Sequence, residues 1–191
     1  MSRPLYLAST SPRRRELLLQ LGLSFSVLRV EVDESRRAGE NPRDYVARLA
    51  QEKAAAGLAT VGDGVVIAAD TTVVLGDAVL GKPASLAEAQ AMWRRLSGGE
   101  HRVLTGVAVG DAQALQIEVV ATVVRFRAIS DAEMRAYWAS GEPLDKAGGY
   151  AIQGKGAILV AGIEGSYSNV VGLPLAETAA MLAPFGIRVL G

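Results

Sequence analysis

Two rhythms of apolar and polar positions run along this chain, and they predict strands and helices in turn. Pro4 to Ala8 and Phe25 to Val32 read as strands, the second ending on Asp33-Glu34. Between them a helix is predicted from Pro12 to Gly22. Ser11 would be its N-cap, proline takes the first helical position, and Leu17, Leu18 and Leu21 form its apolar side. Asn41-Pro42 opens a second helix by the same device, with Tyr45, Val46, Leu49 and Ala50 as its stripe. Val65 to Ala69 is a short, β-branched apolar run that reads as a buried strand, and Asp70 stands where the run should continue. Val73 to Leu75 and Ala78 to Leu80 flank Gly76-Asp77 as a hairpin. Ser85 with Glu88, and Ser130 with Glu133, form capping boxes ahead of two further helices. His101 to Val109, Leu115 to Arg127 and Ala157 to Ala161 read as strands. A last amphipathic helix follows Pro174, and Ile187 to Leu190 reads as a closing edge strand. The order predicts an α/β fold, a mixed sheet with flanking helices. No internal repeat or long linker divides it, so residues 1–191 read as a single α/β domain.

Composition narrows the chemistry. The chain has 20 basic and 20 acidic residues among 191, a balance that argues against a bulk nucleic-acid binder. It has no cysteine and one histidine, His101, which removes thiolate nucleophiles, cysteine zinc sites and any histidine-pair mechanism. Catalysis therefore has to use carboxylates, lysines, hydroxyls or a metal held by oxygen ligands. No apolar run approaches the roughly 20 residues of a membrane span, and the N-terminal stretch lacks a signal-peptide core. A cytoplasmic protein that engages neither membrane nor nucleic acid is the expectation.

The candidate chemistry begins at Asp70. A carboxylate at the end of a buried strand needs a cation, a metal or hydrogen-bond donors, because its desolvation costs several kcal/mol or more. The hairpin that follows could return Lys82 towards it, either as a salt bridge or as part of a site for a metal-bound polyphosphate. Arg13, Arg14 and Arg15 occupy the first turn of a helix, where positive charge opposes the helix dipole. With the hydroxyls of Ser9, Thr10 and Ser11 they would form a phosphate cradle; the other reading is three solvated arginines, one paired with a neighbour such as Glu16. Asp33-Glu34 either supplies an oxygen ligand beside Asp70 or is a solvated turn. Lys53 falls on the apolar stripe of its helix, so it either snorkels from the edge or aims its ammonium into a cleft. Gly149 to Lys155 matches the phosphate-loop spacing, but Gly156 replaces the metal-binding hydroxyl and no helix is predicted after it, so a P-loop is rejected. The glycines there suit close approach to a flat ligand, with the amide of Gln153 able to read a base edge. His101 reads as structural.

Together STSPRR at Ser9 to Arg14, VDE at Val32 to Glu34, Lys53, AADT at Ala68 to Thr71, GKP at Gly81 to Pro83, EPLDKAGGYAIQG from Glu142 and VVGLP from Val170 resemble the Maf family along nearly the whole chain. The resemblance implies a nucleoside triphosphate pyrophosphatase with a bent mixed sheet, two lobes around a cleft and a fold similar to inosine triphosphate pyrophosphatases. It also implies that Asp70 is the general base and that Glu34 joins it in holding Mg2+ or Mn2+. Lys53 and Lys82 would contact phosphates. Arg13, Thr71 and Gln153 resemble the branch acting on dTTP and UTP, and a homodimer is a further implication. A different expectation from the same family is a nucleotide-dependent regulator of cell division that works through a protein partner, using the charged face of the helix from Asp44 to Ala56.

Overall fold

The apolar run from Val65 to Ala69 organises the structure, and in a computed structural model describing residues 3–190 it becomes part of a single strand of 11 residues. This is β3 (Val65–Leu75), and it does not stop at Asp70. Thr71 and Thr72 are β-branched and continue the ladder, so the acid lies in the middle of a strand rather than at its end. β1 (Leu5–Leu7) pairs parallel with both β3 and β2 (Ser26–Val27), and β4 (Ala78–Leu80) pairs antiparallel with β3 through the predicted hairpin. With β5 (Glu100–Gly110), β6 (Leu115–Phe126) and β7 (Val160–Glu164) the sheet has seven strands. Its order is β2-β1-β3-β5-β6-β7, with β4 attached to β3. The mixed α/β architecture is as expected.

The chain divides into two compact units. The first comprises Met1–Asp70, Thr105–Val120 and Gly172–Gly191. Its helices are α1 (Pro12–Gln20), α2 (Pro42–Leu58) and the last helix of the chain (Leu175–Leu182). Small side chains dominate where α2 meets its strands: Ala50 and Ala54 pack on Ala8, Val66, Ala68 and Ala108. Gly106 makes this approach possible, since a Cβ there would stand 2.2 Å from the Val46 carbonyl oxygen. A helix held this close can deliver even a mid-stripe lysine to a strand residue. The second unit comprises Thr71–Leu104 and Ala121–Val171. It contains α3 (Leu86–Leu96), α4 (Asp131–Ala139) and α5 (Tyr167–Val171), around a core that includes Trp93, Phe126, Met134 and Leu159. The remaining helix, Leu175–Leu182, is α6.

Several boundaries differ from the pattern, each for a physical reason. Only Ser26–Val27 of the predicted Phe25 to Val32 strand pairs; beyond the bond from Leu28 N to Leu7 O, the apolar residues Leu28 and Val30 pack on the first unit's core from a coil. The run Ala157 to Ala161 begins in a 3-10 turn, Gly154–Leu159, and the strand starts only at Val160. Ile187 to Leu190 forms no strand, and Leu190 is exposed. The polar stretch before Gly172 contains the unpredicted helix α5. Ser130 and Glu133 form the full reciprocal capping box. Ser85 caps Glu88 N, but the Glu88 carboxylate turns to Ala84 N instead.

Candidate active site

The small-residue contact between α2 and β3 sets the centre of the site. Lys53, one residue before the buried Ala54, extends its ammonium to Asp70 Oδ1 at 2.7 Å and to Glu34 Oε1 at 2.7 Å. The cation that compensates Asp70 is thus Lys53 and not Lys82, which the sequence offers either as a salt-bridge partner or as part of a polyphosphate site. Asp70 and Lys53 are both largely withdrawn from water, with side-chain exposures of 13% and 12%, whereas Glu34 is 55% exposed. Two acids therefore converge on one ammonium, one from the sheet and one from a solvent-facing loop. Removing the lysine would leave Asp70 buried without its counter-charge.

The start of α1 adds positive charge to the same unit. Ser11 sits at the N-cap position but makes no side-chain cap, and Pro12 follows at the first helical position. Ser9 does the bonding instead, its Oγ accepting from Ser11 N at 3.2 Å and from Arg14 Nη1 at 3.3 Å. Arg14 also donates through Nε to the Gly172 carbonyl at 2.8 Å, which fixes its guanidinium. Burial pushes the Arg14 guanidinium below its ordinary value, opposed by the attraction of Asp70 and Glu34 and reinforced by its neighbour Arg13. Arg13 and Arg14 are partly buried, while Arg15 is exposed. Ser9, Arg13, Arg14, Glu34, Lys53 and Asp70 all belong to the first unit.

Two residues of this neighbourhood escaped sequence reasoning because they were counted on the apolar stripe of α2 or not singled out at all. Tyr45 donates its hydroxyl to the Glu34 carbonyl at 2.9 Å. Burial and then the charges of Asp70 and Glu34 push its phenol up. Arg48 donates to Glu40 Oε1 at 2.6 Å, to Glu40 Oε2 at 2.9 Å and to the Ser35 carbonyl at 2.9 Å. Both side chains therefore hold the Glu34 loop by its backbone or its far end. The only advance signal was a tyrosine whose polar tip needs a partner when buried.

Thr71, Lys82 and Gln153 lie in the second unit. Thr71 follows Asp70 on β3 and is partly buried. Lys82 is exposed just after β4. Continuing the register Val73↔Leu80 beyond the last paired residue brings Lys82 level with Thr71. Gln153 is partly exposed at the head of the 3-10 turn Gly154–Leu159. The glycines Gly148 and Gly149 before it are spent on internal contacts: Cβ atoms there would come within 3.0 Å of Val73 and Pro83 respectively. His101 is a core residue, its Nε2 2.7 Å from the Tyr150 hydroxyl and its ring edge-on to Phe126, and burial lowers it to about 4.

Among the described residues no three histidine, aspartate or glutamate side chains converge as a metal cage. Asp70 and Glu34 nonetheless supply two hard oxygen donors directed at one cationic point. A pair of carboxylates completed by water and substrate phosphates is how Mg2+ is commonly held, so the donor set fits such an ion. No helix among the described residues is long and apolar enough to cross a membrane.

Comparison with known proteins gives a consistent result. Residues 4–185 match the family model described as Maf-like protein. The chain is 57% identical over 183 residues to the dTTP/UTP pyrophosphatase of Myxococcus xanthus (strain DK1622), covering 96% of this chain and 93% of the relative. Against the dTTP/UTP pyrophosphatase of Hahella chejuensis (strain KCTC 2396) the identity is 51% over 190 residues, or 98% and 94% of the two chains. A dTTP/UTP pyrophosphatase of Shewanella sp. (strain MR-7) is 53% identical over 192 residues, or 96% and 99%. A family model matched from the first strand to the turn after the last helix, and relatives aligned almost end to end, establish that this chain belongs to the Maf family.

Proposed function

We propose that this protein hydrolyses dTTP and UTP to the nucleoside monophosphate and pyrophosphate, in the cytoplasm where those nucleotides are found. The observation that carries the reading is the buried Asp70 sharing the Lys53 ammonium with Glu34, in the same unit as the arginine-rich start of α1. The names of the relatives support the substrate. Asp70 takes a proton from a water molecule, whose oxygen attacks the α-phosphorus. The bond from the α-phosphorus to the bridging oxygen breaks, and pyrophosphate leaves with the electron pair. Lys53, Lys82, Arg13 and Arg14 meet the growing negative charge on the phosphate chain, and the Ser9 hydroxyl keeps Arg14 in place. Asp70 and Glu34 would hold Mg2+ or Mn2+, which would supply charge neutralisation at the phosphate oxygens. Arg13, Thr71 and Gln153 select the pyrimidine, Gln153 by offering both a donor and an acceptor.

Incubation with dTTP, UTP, CTP, GTP and 7-methyl-GTP in the presence of Mg2+ or Mn2+, followed by separation of products, tests the reading. Monophosphate and pyrophosphate from dTTP and UTP are expected, and Asp70→Asn should lower kcat by about 10²- to 10⁴-fold while dTTP still binds. Orthophosphate and nucleoside diphosphate would place the attack at the wrong phosphorus. Undiminished turnover by Asp70→Asn would move the base elsewhere.

A further inference from the structure

The loop that carries Gln153 is gathered around one carboxylate that the mechanism does not use. Glu142 Oε1 accepts from the Tyr137 hydroxyl at 2.8 Å and from Gly156 N at 2.7 Å, and its Oε2 accepts from Lys155 N at 2.8 Å. Gly154 lies directly against it, with φ at 67° and a position where a Cβ would come 2.5 Å from Oε2. Tyr137 fixes the other side of the same loop, since its oxygen accepts from Ala151 N at 3.2 Å. Residues 151, 155 and 156 are therefore bound, directly or through one hydroxyl, to Glu142, and Gly154 packs against it. Gln153 stands between them and is partly exposed, while Lys155 is exposed. Burial alone would push the Glu142 carboxyl up, but the two backbone donors and the phenol outweigh it and hold it below its ordinary value. The carboxylate thus keeps full acceptor strength towards the three donors at neutral pH.

The start of the loop is held by a neutral donor, the Trp93 indole N–H, which donates to the Gly149 carbonyl at 3.2 Å. A charged anchor with two oxygens fixes its middle. We propose that Glu142 is a positioning residue for base selection: it sets the backbone on both sides of Gln153 and so the direction in which the amide meets the base. The inference rests on the reading of Gln153 as the base-contacting residue.

A double-mutant cycle separates the two. The kcat/KM ratio of dTTP over CTP is measured for the wild type, Glu142→Gln, Gln153→Ala and the double variant, alongside thermal melts. Glu142→Gln presents an amide N–H to a backbone N–H and is expected to lower the ratio about tenfold, but to lower it no further when Gln153 is already alanine. A residue that only stabilised the fold would depress both substrates alike and leave the ratio where it was. If Gln153→Ala moves the ratio and Glu142→Gln does not, or if their effects multiply, the positioning role is overturned. If Gln153→Ala itself leaves the ratio unchanged, base reading by Gln153 is wrong and the inference falls with it. Should Glu142→Gln fail to fold, Tyr137→Phe removes one of the three donors and keeps the carboxylate. A smaller fall in the ratio, again absent in the Gln153→Ala background, is the supporting result, and an unmoved ratio is the opposing one.

Discussion

Lys53 carries an unusual share of the charge balance, since its ammonium is 2.7 Å from each of two acids that approach from different elements. A methionine at this position keeps the stem that packs along α2 but leaves Asp70 with no counter-charge at hydrogen-bond distance. Breaking a pair this withdrawn from water costs about 3–5 kcal/mol, so Lys53→Met should melt well below the wild type. The two acids would then be a better place for a divalent ion. Adding Mn2+ without nucleotide should raise the melting temperature of Lys53→Met more than that of the wild type. Equal shifts would argue against Asp70 and Glu34 as joint ligands. This pairing was only half legible in the sequence. Asp70 stood out because it interrupts an apolar run, and Lys53 because it falls on an apolar stripe, but nothing in residue order shows that one neutralises the other. Joining them needed the alanine and glycine contact that brings α2 down on β3.

Among the elements, the coil between β2 and α2 has no ladder of its own and is held from outside by one helix. Arg48 grips Glu40 through two nitrogens, adds Glu52 at 3.2 Å, and reaches back to the Ser35 carbonyl. The paired arginine and the backbone N–H of Arg37 outweigh burial and push the Glu40 carboxyl down to about 2, from an ordinary 4.5. A carboxylate depressed on folding contributes stability that is complete above its unfolded value and is lost as pH falls through the folded one. The melting-temperature gap between wild type and Glu40→Gln should therefore be constant above about pH 5 and close between about 4.5 and 2. A gap that persists at about pH 2 would show that Glu40 works through packing rather than charge. Sequence reasoning gave this coil a strand it does not have. The alternation from Phe25 to Val32 is real, but Leu28 and Val30 satisfy it by packing without pairing. By contrast, signals that act within one turn were read correctly: Asn41 caps Arg43 and Asp44, and Ser130 with Glu133 closes its box. Local hydrogen bonding is written in adjacent residues, whereas pairing depends on a partner strand far along the chain.

At the scale of the molecule, the path of the chain matters more than any contact. It passes between the two units at residues 70–71, 104–105, 120–121 and 171–172, three of these crossings being made inside strands. Neither unit is a continuous stretch of sequence, which is why no linker marks a boundary. A fragment of residues 1–104 would lack Thr105–Val120 and α6 from the first unit and Ala121–Val171 from the second. It should show no cooperative melt and no fixed aromatic signal in near-ultraviolet circular dichroism; a sigmoidal transition would mean that the first unit is self-sufficient without those segments. The family was legible because motif residues such as Asp70 and Lys53 interrupt an apolar run or stripe, and the mixed sheet because strand-like and helical patterns alternate along the chain. Two lobes were implied by the resemblance, but the points where the chain crosses between the units were not legible, because crossing residues such as Asp70 and Thr71 look like any interior strand pair. The same interleaving bears on synthesis. On the ribosome the second core has to wait for Leu159 and Val170 before it can close, and the first for Leu173 and Leu182, so almost the entire polypeptide must emerge before either is sealed. A nascent chain of this protein therefore leaves apolar core surface uncovered for most of its translation, the condition in which a partly folded chain is prone to aggregate.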